Sequence, residues 1–221
     1  EGSPVLNLPT DYQRPPVFDT RGQTYRFELD QQLTDKIHQF NIEQDTTLFM
    51  TLLAAYQILL AKYSHQEDIV VGTATTGRNH PQLNDIIGMF VNTIPLRNQP
   101  EGEKRFVDYL TEVKEKALWA FENQDFQFDS LVERLGLRRN SDRNPLFDVV
   151  FVLQHADIEP TQIGNLQITP EPFDKGAITF DLALNVFEKE TNLSFEMEYC
   201  RALFKESTIA RMMGHYQYIL E

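Results

Sequence analysis

Five histidines, one cysteine and 33 carboxylates are the groups in this 221-residue chain that could bind a metal, attack a carbonyl or move a proton. Their spacing assembles none of the familiar devices. His38, His65, His80, His155 and His215 stand far apart, and no two have the i, i+4 spacing that sets a pair of ligands on one helical face. No metal site is expected, and each lone histidine reads as a surface or capping residue. The strained serine elbow G-x-S-x-G, the phosphate loop G-x-x-x-x-G-K-[ST] and the dinucleotide fingerprint G-x-G-x-x-G are all missing from the sequence. Cys200, being alone, excludes an internal disulfide and a multi-cysteine metal centre, and reads as a strand residue.

Three stretches that mix polar and aromatic residues are more informative. In IGMFVNT at 87–93, Gly88 lets the backbone turn or approach a neighbour, and Phe90 and Val91 supply apolar wall. Asn92 and Thr93 then place two hydrogen-bonding side chains where a strand begins, although asparagine is a poor strand former. Either Asn92 satisfies backbone groups there or it faces a substrate. The other two stretches are NQDFQFD at 123–129 and RNSDRNPLF at 139–147. Arg97 and Arg143 read equally well as structural ion-pair partners and as functional groups.

The elements that must hold these stretches follow from apolar periodicity. Residues 1–22 carry four prolines and read as an extended linker over a surface, with structure beginning near Thr24. Alternation in Tyr25, Phe27 and Leu29 predicts a strand, and Leu33, Ile37 and Phe40 predict an amphipathic helix. Thr46 or Thr47 can cap a buried helix over the apolar run 48–60. A doubly buried strand at 68–73, a polar loop holding Gly77, Arg78 and Asn79, and a strand at 92–97 come next. Helices are predicted from Phe106 to Ala120 and over 129–135, and DVVFVL at 148–153 is the strongest strand signal. Strands near 166–169, 179–187 and 193–199, the last two forming a hairpin, lead to a final helix capped at Ser207. This order implies a layered α/β fold, a mixed sheet with flanking helices.

A hydrophobic content of 41% is enough for a sizeable core. With 20 basic against 33 acidic residues the net charge is -13, and no basic cluster is present to follow a phosphate backbone, so nucleic acid and anionic membrane are excluded as partners. The run 48–60 is too short to span a bilayer. No signal peptide is visible, the chain opens without an initiator Met as an excised piece of a longer polypeptide would, and a cytoplasmic location is expected.

The three stretches resemble the motifs of nonribosomal peptide synthetase condensation domains. Ile87, Gly88, Phe90, Val91, Asn92, Thr93 and Arg97 meet every defined position of [IV]-G-x-F-V-N-T followed by Arg. Asn123 to Asp129 is similar to [HN]-Q-D-x-P-F-E, with Gln127 for Pro and Asp129 for Glu. Arg139, Arg143, Asn144, Pro145 and Leu146 match R-D-x-S-R-N-P-L, with Asn140 for Asp and Asp142 for Ser. The resemblance covers the whole chain and implies the C-terminal lobe of a two-lobed, chloramphenicol-acetyltransferase-like fold, with 1–22 as the interlobe linker and 23–221 as the lobe. It further implies amide formation between thioesters carried on the phosphopantetheine of donor and acceptor carrier domains, beside an adenylation domain, with no cofactor bound by this chain. The family's histidine motif H-H-x-x-x-D-G belongs to the other lobe, so no catalytic residue is expected here and the isolated chain should be silent. By the same resemblance Gly77, Arg78 and Asn79 belong to a tunnel-floor loop, Asn92 and Thr93 lie near the tunnel, and the strand after Arg139 crosses into the other lobe's sheet. A noncatalytic docking module and the matching lobe of an epimerization domain are the alternatives, and Phe90, Val91, Asn92 and Thr93 argue against the epimerization domain.

Overall fold

The structure is a computed structural model that describes residues 4–155, 161–164, 166–168 and 176–221. Thr169 and the side chain of His155, both named above, lie outside the described residues. The chain forms β1 (Gly22–Leu29), α1 (Gln31–Glu43), α2 (Leu48–Ser64), β2 (Ile69–Thr75), β3 (Asn92–Asn98), α3 (Phe106–Glu122), α4 (Phe128–Arg134) and β4 (Val149–His155). It continues with β5 (Thr161–Ile163), β6 (Leu166–Ile168), β7 (Leu182–Glu188), β8 (Leu193–Cys200) and α5 (Glu206–Leu220). Among the described residues six strands make one mixed sheet in the order β1-β8-β7-β4-β2-β3, and β5 and β6 pair with each other. β7 and β8 are the predicted antiparallel hairpin.

The two faces of the sheet differ in cover. On one face α1, α2, α3 and α5 bury the main core, in which Leu52, Leu53, Tyr56, Leu60, Phe151, Phe195 and Tyr216 are almost wholly enclosed. α2 is apolar nearly all round because it lies between the sheet and its neighbouring helices, and Thr47 caps it by accepting the Met50 N–H at 3.3 Å. Its one buried amide, Gln57, donates to the Leu96 carbonyl at 3.1 Å and accepts from Asn98 at 3.0 Å and Tyr109 at 2.9 Å. A polar group in this position is tolerated because its oxygen accepts twice and its nitrogen donates, and it fixes α2, β3 and α3 in one register. On the opposite face a smaller cluster of Val70, Leu146, Phe147, Val150 and Ala183 packs beneath Phe128 and Leu131. A Cβ on Gly72 would lie 2.2 Å from the Phe147 ring, so only glycine lets that ring sit flat on β2.

Two expectations are corrected. The strand after Arg139 does not leave for another sheet: β4 pairs in parallel with β7 along its length and with β2 at Gly72 and Val150. A run that is apolar on both faces looks the same in sequence whether its two partners are its own or another lobe's. Ser207 does not cap the last helix either. Asp11 of the proline-rich segment accepts the Lys205 N–H at 2.8 Å and the Thr208 hydroxyl at 3.0 Å. The described part of that segment is tied down along its length. The Leu6 carbonyl accepts from Arg143 at 3.2 Å, Arg14 forms a two-pronged ion pair with Asp181, and Ser141 donates to the Pro16 carbonyl at 2.8 Å.

Candidate functional site

The polar loop between β2 and β3 is built around one guanidinium. Gly77 opens it in the left-handed region, φ 62°, where a Cβ would stand 1.9 Å from the Phe90 carbonyl oxygen, so the loop can close on itself only at glycine. Arg78 then donates to the carbonyls of Leu83, of Ile86 at 3.0 Å and of Gly88 at 3.3 Å, while its guanidinium carbon lies 4.5 Å above the Phe90 ring. Asn79 donates to the Asp125 carboxylate and so ties the loop to the segment after α3. Gly88 leaves room for the Phe90 ring, which a Cβ would approach to 3.2 Å. The outward side is apolar: Ile87 is 102% and Met89 93% exposed, with Ile86 and Val91 also exposed.

Asn92 ends the loop and is 5% exposed. Its amide nitrogen donates to the carbonyls of Gln124 at 2.8 Å and Phe126 at 2.9 Å, and its oxygen accepts the Phe128 N–H at 3.2 Å. α4 has no side-chain cap of its own, so Asn92 supplies it from another element. The first two motifs are therefore one structure joined by a single side chain. Asn92 alternates with Ile94 and Leu96 towards the main core, whereas Thr93, Pro95 and Arg97 point the other way. Asn92, expected beside a tunnel, has its amide committed to the backbone of 124–128, and Thr93 is the motif residue on the open side. Arg97 donates to both carboxylate oxygens of Asp68, at 2.8 and 2.6 Å, and these hydrogen bonds hold that carboxyl below the usual range against the effect of burial.

The third motif is a bolt rather than a wall. Arg139 meets Asp129 at 2.6 Å in full exposure, a pair that contributes little. Asn144 turns the chain by accepting the Leu146 N–H at 3.3 Å, Pro145 follows, and Leu146 and Phe147 enter the smaller core. Arg143 holds Asp148 at 2.8 Å, and Arg14 holds Asp181, whose N–H donates to the Asp148 carbonyl at 2.8 Å. Two buried carboxylates thus face two arginines where β4 and β7 start. Burial, helped by the neighbouring Asp181 and opposed by Arg143 and Arg14, pushes the Asp148 carboxyl up to about 6. Arg14, Asp148 and Asp181 escaped the sequence analysis, and the only signal was a carboxylate placed directly before each of two apolar runs.

Away from α4 no described helix covers the second face of the sheet. Thr24 and Arg26 on β1, Glu196 and Glu198 on β8, Asn185 and Phe187 on β7 and Gln154 on β4 line a cavity of about 250 Å³ there. Arg26 donates to Glu196 at 2.7 Å. Among the described residues no three His, Cys, Asp or Glu side chains gather closely enough to hold a metal, and no helix is long and apolar enough to cross a membrane. Tyr63 shares a 2.9 Å hydrogen bond with His215 Nδ1, and the motif residues described above offer surface and positioning.

Comparison with known proteins places these features. The Condensation domain family model matches residues 1–221. Bacitracin synthase 3 of Bacillus licheniformis is 47% identical over 99% of this chain, which spans 3% of that protein. Gramicidin S synthase 2 of Brevibacillus brevis is 46% identical over 100% of the chain, which spans 5% of it. The fold matches a four-domain nonribosomal peptide synthetase solved with AMP and glycine at a TM-score of 0.91 and 22% identity, over 99% of this chain and 18% of that one. It matches the condensation domain of the monacolin K polyketide synthase MokA at 0.85 and 22%, over 100% of this chain and 52% of that one. It also matches the X-domain in its complex with OxyB from teicoplanin biosynthesis at 0.88 and 24%, over 98% of this chain and 48% of that one.

Proposed function

Since this chain belongs to the condensation-domain family, we propose that it is the C-terminal lobe of a domain that joins carrier-bound aminoacyl or peptidyl thioesters through an amide bond. The observation that carries this reading is the sheet with one face under four helices and the other half bare, next to a rigid loop with an apolar tip. Such a surface suits a second lobe, and solved relatives twice as long as this chain leave room for one. In this reading residues 1–22 link the lobes, and the loop with Gly77, Arg78 and Asn79 closes the floor of the tunnel between them. β5 and β6, which pair outside the main sheet and expose Leu166, take the bridging role that β4 cannot.

The chemistry asks for a thioester and an amine held within reaction distance while the developing tetrahedral centre is stabilised and loses a proton. Here the lobe supplies position and exclusion of water, the catalytic histidine comes from the other lobe, and both substrates arrive on the phosphopantetheine arms of carrier domains. The test is amide formation between two loaded carrier domains, followed by mass spectrometry, with the complete domain and with this chain alone. Product from the complete domain and none from the chain is expected. Product from the chain alone contradicts the two-lobe reading. A second reading, a docking module, is favoured by the likeness to an X-domain solved in complex with OxyB, and a complete domain that yields no amide would support it.

A further inference from the structure

We propose that the outward stripe of α3, where Leu118 and Trp119 stand between Glu115 and Glu122, is a docking surface for a basic amphipathic helix of a neighbouring domain. This rests on the condensation reading only in taking the other domains of a synthetase as the neighbours.

α3 buries Tyr109, Leu110, Val113 and Ala117 in the main core. Glu115, Leu118, Trp119 and Glu122, at helical spacings of three and four, fall on the side opposite that stripe. A helix that only had to cover a core would keep this side polar. Instead Leu118 is 48% and Trp119, the only tryptophan of the chain, 67% exposed. One exposed apolar side chain is ordinary, but a leucine and a tryptophan side by side form a patch. The second lobe does not account for it. That lobe is proposed for the opposite face of the sheet, whereas α3 lies on the face that the helices already cover, with this stripe turned away from the sheet.

The chemistry of the occupant follows from the flanks. Glu115 and Glu122 are exposed, and among the described residues neither side chain has an ion pair or a hydrogen bond. Lys114, the nearest cation in sequence to Glu115 on its N-terminal side, is held by Asp45. An apolar centre between two uncompensated carboxylates, on a chain of net charge -13, attracts a basic surface and repels an acidic one. The carboxylates stand two helical turns apart, about 10 Å along the axis, which is the spacing of positions i and i+7 on a second helix. Arginine or lysine at those two positions would meet the carboxylates. An apolar residue at i+3 or i+4 would then seat on Leu118 and the indole, and an arginine could also lie over the indole face. Bacitracin synthase 3 and gramicidin S synthase 2, of which this chain spans 3% and 5%, carry the matching stretch among many other segments of one polypeptide.

The test is oxidative footprinting of the complete domain alone and of the full-length synthetase. Trp119 should be oxidised about 5- to 10-fold more slowly in the synthetase than in the domain alone, as a desolvated anchor is. Glu115→Lys with Glu122→Lys should return Trp119 to its rate in the domain alone, with an unchanged unfolding midpoint of the domain. Hydrogen exchange on the same variant should show protection lost from a basic amphipathic helix outside the domain. Leu118→Ser with Trp119→Ser, which removes no core contact, should release the same helix. Equal oxidation of Trp119 in the two forms, or protection that survives the charge reversal, would overturn the proposal. So would a Trp119 already protected in the domain alone, which would mean that the second lobe covers it, or protection that grows with synthetase concentration, which would mean a second copy. Amide formation is measured separately, so a complete domain that makes no amide defeats the condensation reading while Trp119 oxidation still decides the role of this stripe.

Discussion

α2 and the loop between β2 and β3 are both rich in aliphatic and aromatic residues, yet one is the most buried helix of the molecule and the other among its most exposed segments. In α2 twelve of 17 residues are buried, while in the loop Ile87 and Met89 touch almost nothing. The difference lies in how the backbone is satisfied. α2 bonds its own amides, so its side chains are free to fill the core. The loop cannot do this, and borrows Arg78, Asn79 and the Gly77 turn to hold a shape that presents apolar groups to water. Hydrophobicity in the first case stabilises the fold, and in the second it awaits a partner.

Substitutions should separate the two regions. Leu53→Ala in the middle of α2 should destabilise the protein by about 2–5 kcal/mol in denaturant unfolding, through the cavity it leaves. A loss below about 1 kcal/mol would break the contrast from the core side.

The bolt of Arg14, Arg143, Asp148 and Asp181 should show itself through pH. The Asp148 carboxyl, raised to about 6 in the folded state by burial first and Asp181 second, holds a proton that the unfolded chain has already released. Its contribution to stability is therefore largest below about pH 4 and declines as pH rises to about 6, by up to about 2–3 kcal/mol. Asp148→Asn should flatten that part of the profile, measured as unfolding free energy from pH 4 to 7. A profile identical to wild type would contradict the assignment.

Gly77→Ala should cost about 1–3 kcal/mol locally, through the positive φ and the clash with the Phe90 carbonyl. Hydrogen exchange should show the cost as faster exchange confined to 77–91, with α2 unaffected. At the small end, Ile87→Ser with Met89→Ser should leave stability within about 0.5 kcal/mol of wild type, while lowering amide formation in the complete domain. Loss of stability comparable to Leu53→Ala would mean that the tip is core after all.

Much of this was legible in the residues. The apolar period gave α2, α3 and the β7–β8 hairpin to within a few positions, because each buries one continuous stripe or face. The motif spacing pointed to the loop and to Asn92, but not to what Asn92 does, since a side chain that caps a helix 36 residues away leaves no local signature. The course of β4 was misread for a related reason: the sequence shows that a strand is buried on both faces, and which strands flank it is decided by topology. Arg14 with Asp181, 167 positions apart, is invisible to any local pattern.

The claim that the bare half of the sheet and the loop tip await a second lobe is tested most directly by hydrogen exchange and surface labelling of this chain alone and within the complete domain. The account predicts that residues 80–91 and the face carrying Asn185, Phe187, Glu196 and Glu198 become protected in the complete domain, while α2 is equally protected in both. Equal labelling of the loop and the bare face in the two forms would contradict it.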